Sequence, residues 1–275
     1  MAAEWRLLLE RIKRLQVPSG REALGEFALE GHRSMERALR NNAPLKEALV
    51  SESFAGSEVQ REKEIMHSLK ERCPLLRIAP DDCIRELTGR RRIGEVFGVM
   101  SLPQPPSYAE LFVGDGRHMV MVGWNLADPG NTGAIIRSAL AVGASGFLAV
   151  GTTDPWHPKS VRTSMGSLFK LPILRVHAEE NWLGGLSEVG AETFATVCGE
   201  AENLTNVHPV SSKIAVILGS EAFGLPPEVS KECDRRITIP MPEGVDSFSV
   251  NAAAAVLGYT LQQSALKDSG VDIPC

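Results

Sequence analysis

A chain of 275 residues, 43% hydrophobic and 23% charged, has material for one large domain or two ordinary ones, and that balance is ordinary for a globular protein, so disorder is not the default. No apolar run approaches the roughly 20 residues that a membrane span requires, so no membrane partner is expected. The formal net charge of -5 excludes nucleic-acid binding driven by bulk positive charge and leaves room only for local basic patches on an acidic body.

The N-terminal stretch MAAEWRLLLERIKRL mixes charges into apolar residues at helical spacing. It reads as an amphipathic helix, not a signal peptide. The next segment predicts a helix from His32 to Arg40, with Met35, Ala38 and Leu39 on its apolar face. Asn41, Asn42 and Pro44 stop it. LKEALVS follows as a short strand, SEVQREKEIMHSLKERCP as a second amphipathic helix, and LLRIAP as another strand. DDCIRELTG is a short helix with Asp81 or Asp82 as its N-cap, and GEVFGVMSL closes the segment as a strand. Strand and helix alternate over residues 1–100, which predicts a small α/β domain. Arg90, Arg91 and Arg92 fall in the loop before its last strand. They fit either a solvated turn or contacts to RNA phosphate.

Residues 101–117 hold three prolines close together and are the linker candidate. From His118 the pattern changes. HMVMVGW is a strand, NLADPGNTG a turn-rich loop, AIIRSALAVGA a helix and GFLAVG a strand. Such a strand–loop–helix–strand unit favours a parallel sheet. Lys159 and Arg162 follow on a loop-to-helix segment, then TFATVCG as a further strand. The stretch from Ile214 to Tyr259 holds two apolar runs, IAVILG and ITIPM, each ending at a Gly or Pro turn. A small-residue helix, SVNAAAAVLGY, completes it. Glycines where buried strands hand over to loops let the backbone approach a ligand closely. A loop-built site at the carboxyl ends of the strands is therefore expected. The five cysteines, Cys73, Cys83, Cys198, Cys233 and Cys275, form no CxxC pair. No metal site or disulfide framework is expected, and free thiols fit a cytoplasmic location.

Three motifs carry the candidate chemistry. Asn131, Thr132 and Gly133 stand at a helix start, where Asn131 can act as cap. The glycines there lack the GxGxxG spacing, which disfavours a dinucleotide site. Arg137 lies among Ala, Ile and Leu, so a phosphate or carboxylate partner is expected for it. Glu221 sits in a Gly-bracketed turn, either as a helix N-terminal acid or as a partner for Arg137 or a substrate hydroxyl. Ser247, Ser249 and Asn251 alternate ahead of the Ala-rich helix, whose small residues allow close packing against a helix or another subunit.

Together, Asn131-Thr-Gly-x-x-x-Arg137, Leu218-Gly-Ser-Glu221-x-x-Gly224-Leu225, Ile239-Pro-Met241 and Ser247-Phe-Ser-Val-Asn-Ala-Ala253 resemble the SpoU (TrmH-type) RNA 2′-O-ribose methyltransferases of the SPOUT superfamily. Pro158-Lys159-x-x-Arg162-x-Ser164-x-Gly166-Ser167-x-Phe169 looks like the family's stretch between its first two motifs. The resemblance covers residues 118–262. It extends more loosely to Glu30-Gly31-x-Arg33 and the helix after it, which are similar to the family's ribosomal-protein-L30e-like RNA substrate-binding domain.

The resemblance implies an L30e-like α/β domain over residues 1–100 and a knotted SPOUT-type parallel-sheet catalytic domain over 118–275, threaded as a deep trefoil knot. It implies S-adenosylmethionine as cofactor, with Gly219, Ile239 and Phe248 as contacts and Leu218, Met241 and Val250 nearby. It implies a homodimer with sites at the interface and an RNA substrate, ribosomal RNA ahead of transfer RNA. Arg137 would bind the phosphate beside the target ribose and steer its hydroxyl. Asn131 would position Arg137 or the ribose, and Glu221 would hold the site together. Arg33, Arg90, Arg91, Arg92, Lys159 and Arg162 would contact RNA. One departure stands out: the family's Ser-Leu-Asn-Val-Ser reads Ser247-Phe248-Ser249-Val250-Asn251 here. In an extended segment Ser249 and Asn251 would still face one way; in a helix they would not. A catalytically silent RNA-binding relative and a base-nitrogen methyltransferase remain as alternatives.

Overall fold

The computed structural model describes residues 4–88, 95–114 and 116–269. Arg90, Arg91 and Arg92 lie outside the described residues. The chain divides into two compact units, Met1–Gln104 with Trp156–Phe169, and Pro105–Pro155 with Lys170–Cys275.

In chain order the elements begin with α1 (Glu4–Arg14), α2 (Pro18–Leu24), β1 (Glu26–Glu30), α3 (His32–Arg40), β2 (Leu45–Ser51) and α4 (Glu52–Ala55). Next come α5 (Gln60–Arg72), β3 (Leu75–Ala79), α6 (Asp81–Thr88), β4 (Val96–Ser101), β5 (His118–Trp124), α7 (Pro129–Ala141) and β6 (Gly146–Val150). After these are α8 (Pro158–Thr163), β7 (Ile173–Val176), α9 (Trp182–Glu188), β8 (Glu192–Thr196) and β9 (Glu202–Asn203). The last are β10 (Lys213–Leu218), α10 (Pro227–Glu232), β11 (Arg235–Thr238) and α11 (Val250–Ser269). Among the described residues, no helix is long and apolar enough to cross a membrane.

The first unit is a four-stranded mixed sheet in the order β1-β4-β2-β3, with β4 antiparallel to β1 and β2, and β3 parallel to β2. Helix α1 buries Leu8, Leu9 and Ile12, spaced to form one stripe, against Ala28, Leu49 and Phe97 of the sheet. Helix α3 has the bounds its periodicity predicts and buries Met35, Ala38 and Leu39. Gly31 precedes it at φ 87°, a conformation that strains any side chain. Asp81 is not a cap: it lies inside α6, and its carboxylate accepts from the Ser53 amide and hydroxyl at 3.1 and 2.8 Å. Strand β1, which the charges flanking EFALE hide from a periodicity reading, is almost wholly buried.

The second unit holds seven strands, all parallel, in the order β7-β6-β5-β10-β8-β11-β9. The central strands are near-continuous apolar runs because both faces are covered. Val120, Val122, Leu148, Val150, Ala215 and Ile217 build one core face. The other face takes α11, whose Gly258 approaches Met121, Met119 and the α7-flanking Val142 so closely that an added Cβ would lie 2.6 Å from two of them. The small residues of α11 therefore serve packing on α7 and the sheet of the same chain.

Two segments differ from their sequence expectation. Residues 101–117 are more than a linker, since Leu111 and Phe112 enter the second unit's core. Residues 156–169 group with the first unit, where the Trp156 ring stands 4.9 Å from that of Phe27.

Candidate active site

Strands β5 and β10 lie side by side with Gly123 opposite Leu218, so the loops leaving their carboxyl ends emerge together. The loop after β5 enters α7 through Asp128, whose carboxylate accepts from the Gly130 amide at 2.8 Å, with Pro129 in the first turn. Asp128, not Asn131, is thus the cap. Asn131 stands inside the first turn and sends its side chain elsewhere.

The loop after β10 is a tight turn. Ser220 and Gly224 exchange backbone hydrogen bonds at 3.1 and 2.8 Å. A Cβ on Gly219 would lie 2.2 Å from the Gly224 carbonyl carbon, so only glycine permits this fold-back. From that turn Glu221 reaches across to the other loop. It accepts from Asn131 Nδ2 at 2.8 Å, the Ala127 amide at 3.1 Å and the Asp128 amide at 3.4 Å. Partial burial pushes the Glu221 carboxyl up, but the donors, Asn131 foremost, outweigh it and hold the group below its ordinary value. Glu221 is therefore an ionised clasp joining the first two motifs. The expected pairing of Glu221 with Arg137 is absent from its contacts. The Arg137 side chain is exposed on α7.

Beside the clasp opens a cavity of about 820 Å³, whose wall includes Leu218, Gly219, Ile239, Met241, Phe248 and Val250. Asn131, Glu221 and Ser249 reach the same wall, whereas Arg137 and Asn251 do not. A second cavity of about 750 Å³, lined by Trp124, Asn125 and Asp128 among others, shares Asn131, Ser220 through Leu225 and Pro227 with the first. Both are within the size range of small-molecule sites.

The Ser249/Asn251 exchange has a structural answer. Helix α11 begins at Val250, so Ser249 precedes it as a cap, accepting from the Ala252 amide at 3.4 Å, and Asn251 is already helical. The Asn251 side chain turns away to accept from Ser138 Oγ of α7 at 2.8 Å. The two residues do not face one site together.

In the first unit, Arg33, Arg37 and Arg40 share the exposed stripe of α3. Lys159 is exposed on α8, while Arg162 is half-buried and pairs with Glu30 at 3.4 Å. The His32 ring stands between Glu62 and Glu95 at 3.7 and 3.8 Å. Each carboxylate faces a different ring nitrogen beyond hydrogen-bond distance, and the buried His32 Nε2 has no hydrogen-bond partner among the described residues.

A model of the SpoU rRNA methylase family matches residues 118–259, more than half of the chain. The chain belongs to the SpoU rRNA methylase family. It is 25% identical over 251 residues to the 23S rRNA (guanosine(2553)-2'-O)-methyltransferase RlmP of Bacillus subtilis (strain 168), covering 91% of this chain and 94% of that one. It is 29% identical over 272 residues to the 23S rRNA (uridine(2479)-2'-O)-methyltransferase of Streptomyces viridochromogenes, covering 94% and 88% of the two chains. Among solved structures, the SpoU methyltransferase AviRb from Streptomyces viridochromogenes in complex with the cofactor AdoMet matches with a TM-score of 0.76 and 26% identity, over 92% of this chain and 97% of that one.

These spans exceed the family model and take in the first unit as well. Within the SpoU frame, sequence reasoning passed over three parts of the site. Asp128 carries a signal, because an Asp-Pro pair ahead of an apolar helix marks cap and first turn. The amides of Ala127 and Asp128 carry none, since backbone donors are invisible in residue types. Phe223, at the tip of the turn, is a lone aromatic in no periodic pattern.

Proposed function

We propose that the protein transfers a methyl group from S-adenosylmethionine to a ribose 2′-hydroxyl of ribosomal RNA. One observation carries this reading: Glu221, fixed by Asn131 and two loop amides, stands on the wall of a cavity that also holds every one of the six cofactor candidates. The lining fits the group. Leu218, Ile239, Met241, Phe248 and Val250 offer apolar surface for an adenosyl moiety, and the Gly219 turn exposes backbone at close range. When bound, the cofactor supplies an electrophilic methyl group on a sulfonium.

The chain's own residues supply position. Glu221 and Asn131 lock the two loops, so the acceptor hydroxyl meets a rigid rim rather than a loose one. Arg137 binds the phosphate next to the target ribose and steers the hydroxyl, since a guanidinium stays protonated and is a poor base. Ser249 holds the start of α11 and with it Phe248 and Val250. Asn251 acts through Ser138 of α7.

The same reading includes a homodimer with sites at the interface. Arg137 is exposed and outside the cavity wall of its own chain, so a second copy packed near α7 and α11 would complete the site. It also includes a trefoil-knotted second unit, an RNA-binding first unit using Arg33, Lys159 and Arg162 together with Arg90, Arg91 and Arg92, and a cytoplasmic location with the ribosome. The test is labelled-methyl transfer to an unmodified 23S ribosomal RNA transcript, followed by nuclease digestion and mass analysis. A 2′-O-methylated nucleoside is expected. A methylated base, or no product with ribosomal RNA but product with transfer RNA, would overturn it.

A further inference from the structure

Phe223 is 92% exposed, more than any other large apolar side chain among the described residues. A phenyl ring held in water gains free energy when a partner covers it. The backbone presents it firmly: the turn is closed by the Ser220–Gly224 pair, and the Phe223 amide donates to Ser220 Oγ at 3.3 Å. Both cavities are lined by that turn, and Phe223 lines both.

We infer that Phe223 is the stacking platform for the nucleobase of the RNA nucleotide whose ribose is methylated; the inference rests on the ribose methyl transfer proposed above. Transfer requires the acceptor oxygen about 3–3.5 Å from the methyl carbon and in line with it. The acceptor ribose must therefore sit where the cofactor cavity meets its neighbour. The residues common to both cavities are Asn131, Pro227 and the turn from Ser220 to Leu225, and Phe223 is the only aromatic among them. A ribose placed there carries its base within reach of that ring. RNA recognition commonly takes nucleotides from single-stranded loops, whose unstacked bases regain on an aromatic face the stacking they have lost. The ring has no hydrogen-bonding edge, so it accepts any base and leaves sequence choice to other parts of the protein.

The experiment compares wild type with Phe223→Ala, Phe223→Leu and Phe223→Trp in the full-length protein. Affinity for an unmethylated 23S ribosomal RNA transcript is read by filter retention with S-adenosylhomocysteine present, so that no turnover occurs. Cofactor affinity is read by calorimetry and mass by sedimentation. Phe223→Ala is expected to weaken RNA binding roughly 5- to 150-fold, with Phe223→Leu close to it and Phe223→Trp within about threefold of wild type. Phe223 is one of many residues on the cofactor cavity's wall, so cofactor affinity is expected to fall by much less than RNA affinity, and mass stays at the wild-type value. Full binding by Phe223→Leu would overturn the inference, because it would make the ring a mere apolar spacer. A parallel fall in cofactor affinity would overturn it in favour of a cofactor wall, and a changed mass in favour of a contact between copies. If wild type binds the transcript yet places no methyl on ribose, the proposed activity fails, while the order of Phe and Trp over Leu and Ala still supports stacking.

Discussion

Glu221 gathers three donors from a loop some ninety positions away in sequence, and that fixes its charge state. Its folded-state pKa lies below the ordinary value of 4.5, so its contribution to stability is present above that value and fades as pH falls through the lower folded pKa. The clasp is intact throughout the neutral range and opens only in acid. Glu221→Gln keeps the shape but replaces one acceptor oxygen by an NH2 group, which donates and so leaves an N–H of Asn131 or the loop without an acceptor. At least a tenfold loss of methyl transfer is expected, with a flat pH profile from 6 to 8 in both proteins. A titration in wild-type activity near neutrality that Glu221→Gln removes would contradict an ionised clasp. Arg137→Ala should abolish transfer, by roughly 10² or more, with cofactor affinity within about twofold, because Arg137 lies outside the proposed cofactor cavity. Undiminished turnover would remove its role. Much of this was legible in residue types: a carboxylate between glycines and an arginine in an apolar helix both stand out. The partners were not legible. Asn131 and Asp128 are both good caps, and only the fold shows that Asp128 caps while Asn131 turns to Glu221.

Helix α11 joins the wall of the proposed cofactor cavity to the core. Its cap, Ser249, lies between Phe248 and Val250, which both line the cavity. Ser249→Ala is expected to cost about 1 kcal/mol of helix stability and to weaken cofactor binding several-fold, as calorimetry would read. Equal cofactor affinity would show that the wall does not depend on the cap. Farther along, Gly258 leaves no room beside Met121 and Val142. Gly258→Leu overpacks that contact and is expected to cost about 1–3 kcal/mol, seen as a melting temperature several degrees lower. Elements of this kind were readable where burial is complete, because a continuous apolar run has one interpretation. Strand β1 was not, since its length is short and its ends are charged. Nor was the pairing of residues 156–169 with the first unit, because the Trp156–Phe27 contact joins positions far apart in the chain.

At the scale of the molecule, one chain carries the proposed cofactor cavity without the arginine proposed to serve it. Two arrangements are open to the proposed homodimer: Arg137 swings into its own cavity, or it serves the cavity of the second copy. They differ in what a mixed dimer can do. Gly219→Val fills the space where the turn folds back at 2.2 Å, and so destroys the cavity while leaving α7 intact. Arg137→Ala does the reverse. In a mixed dimer of the two, service across the interface leaves one cavity intact and gives it an intact Arg137, while the other site lacks both. Random mixing makes half of the dimers hetero, each with one working site of two, so co-expression should restore roughly a quarter of wild-type activity. Service within the chain pairs each defect with its own site and restores nothing. A return of activity on mixing two inactive proteins is hard to obtain in any other way, and its absence at a verified dimer mass would assign Arg137 to its own chain.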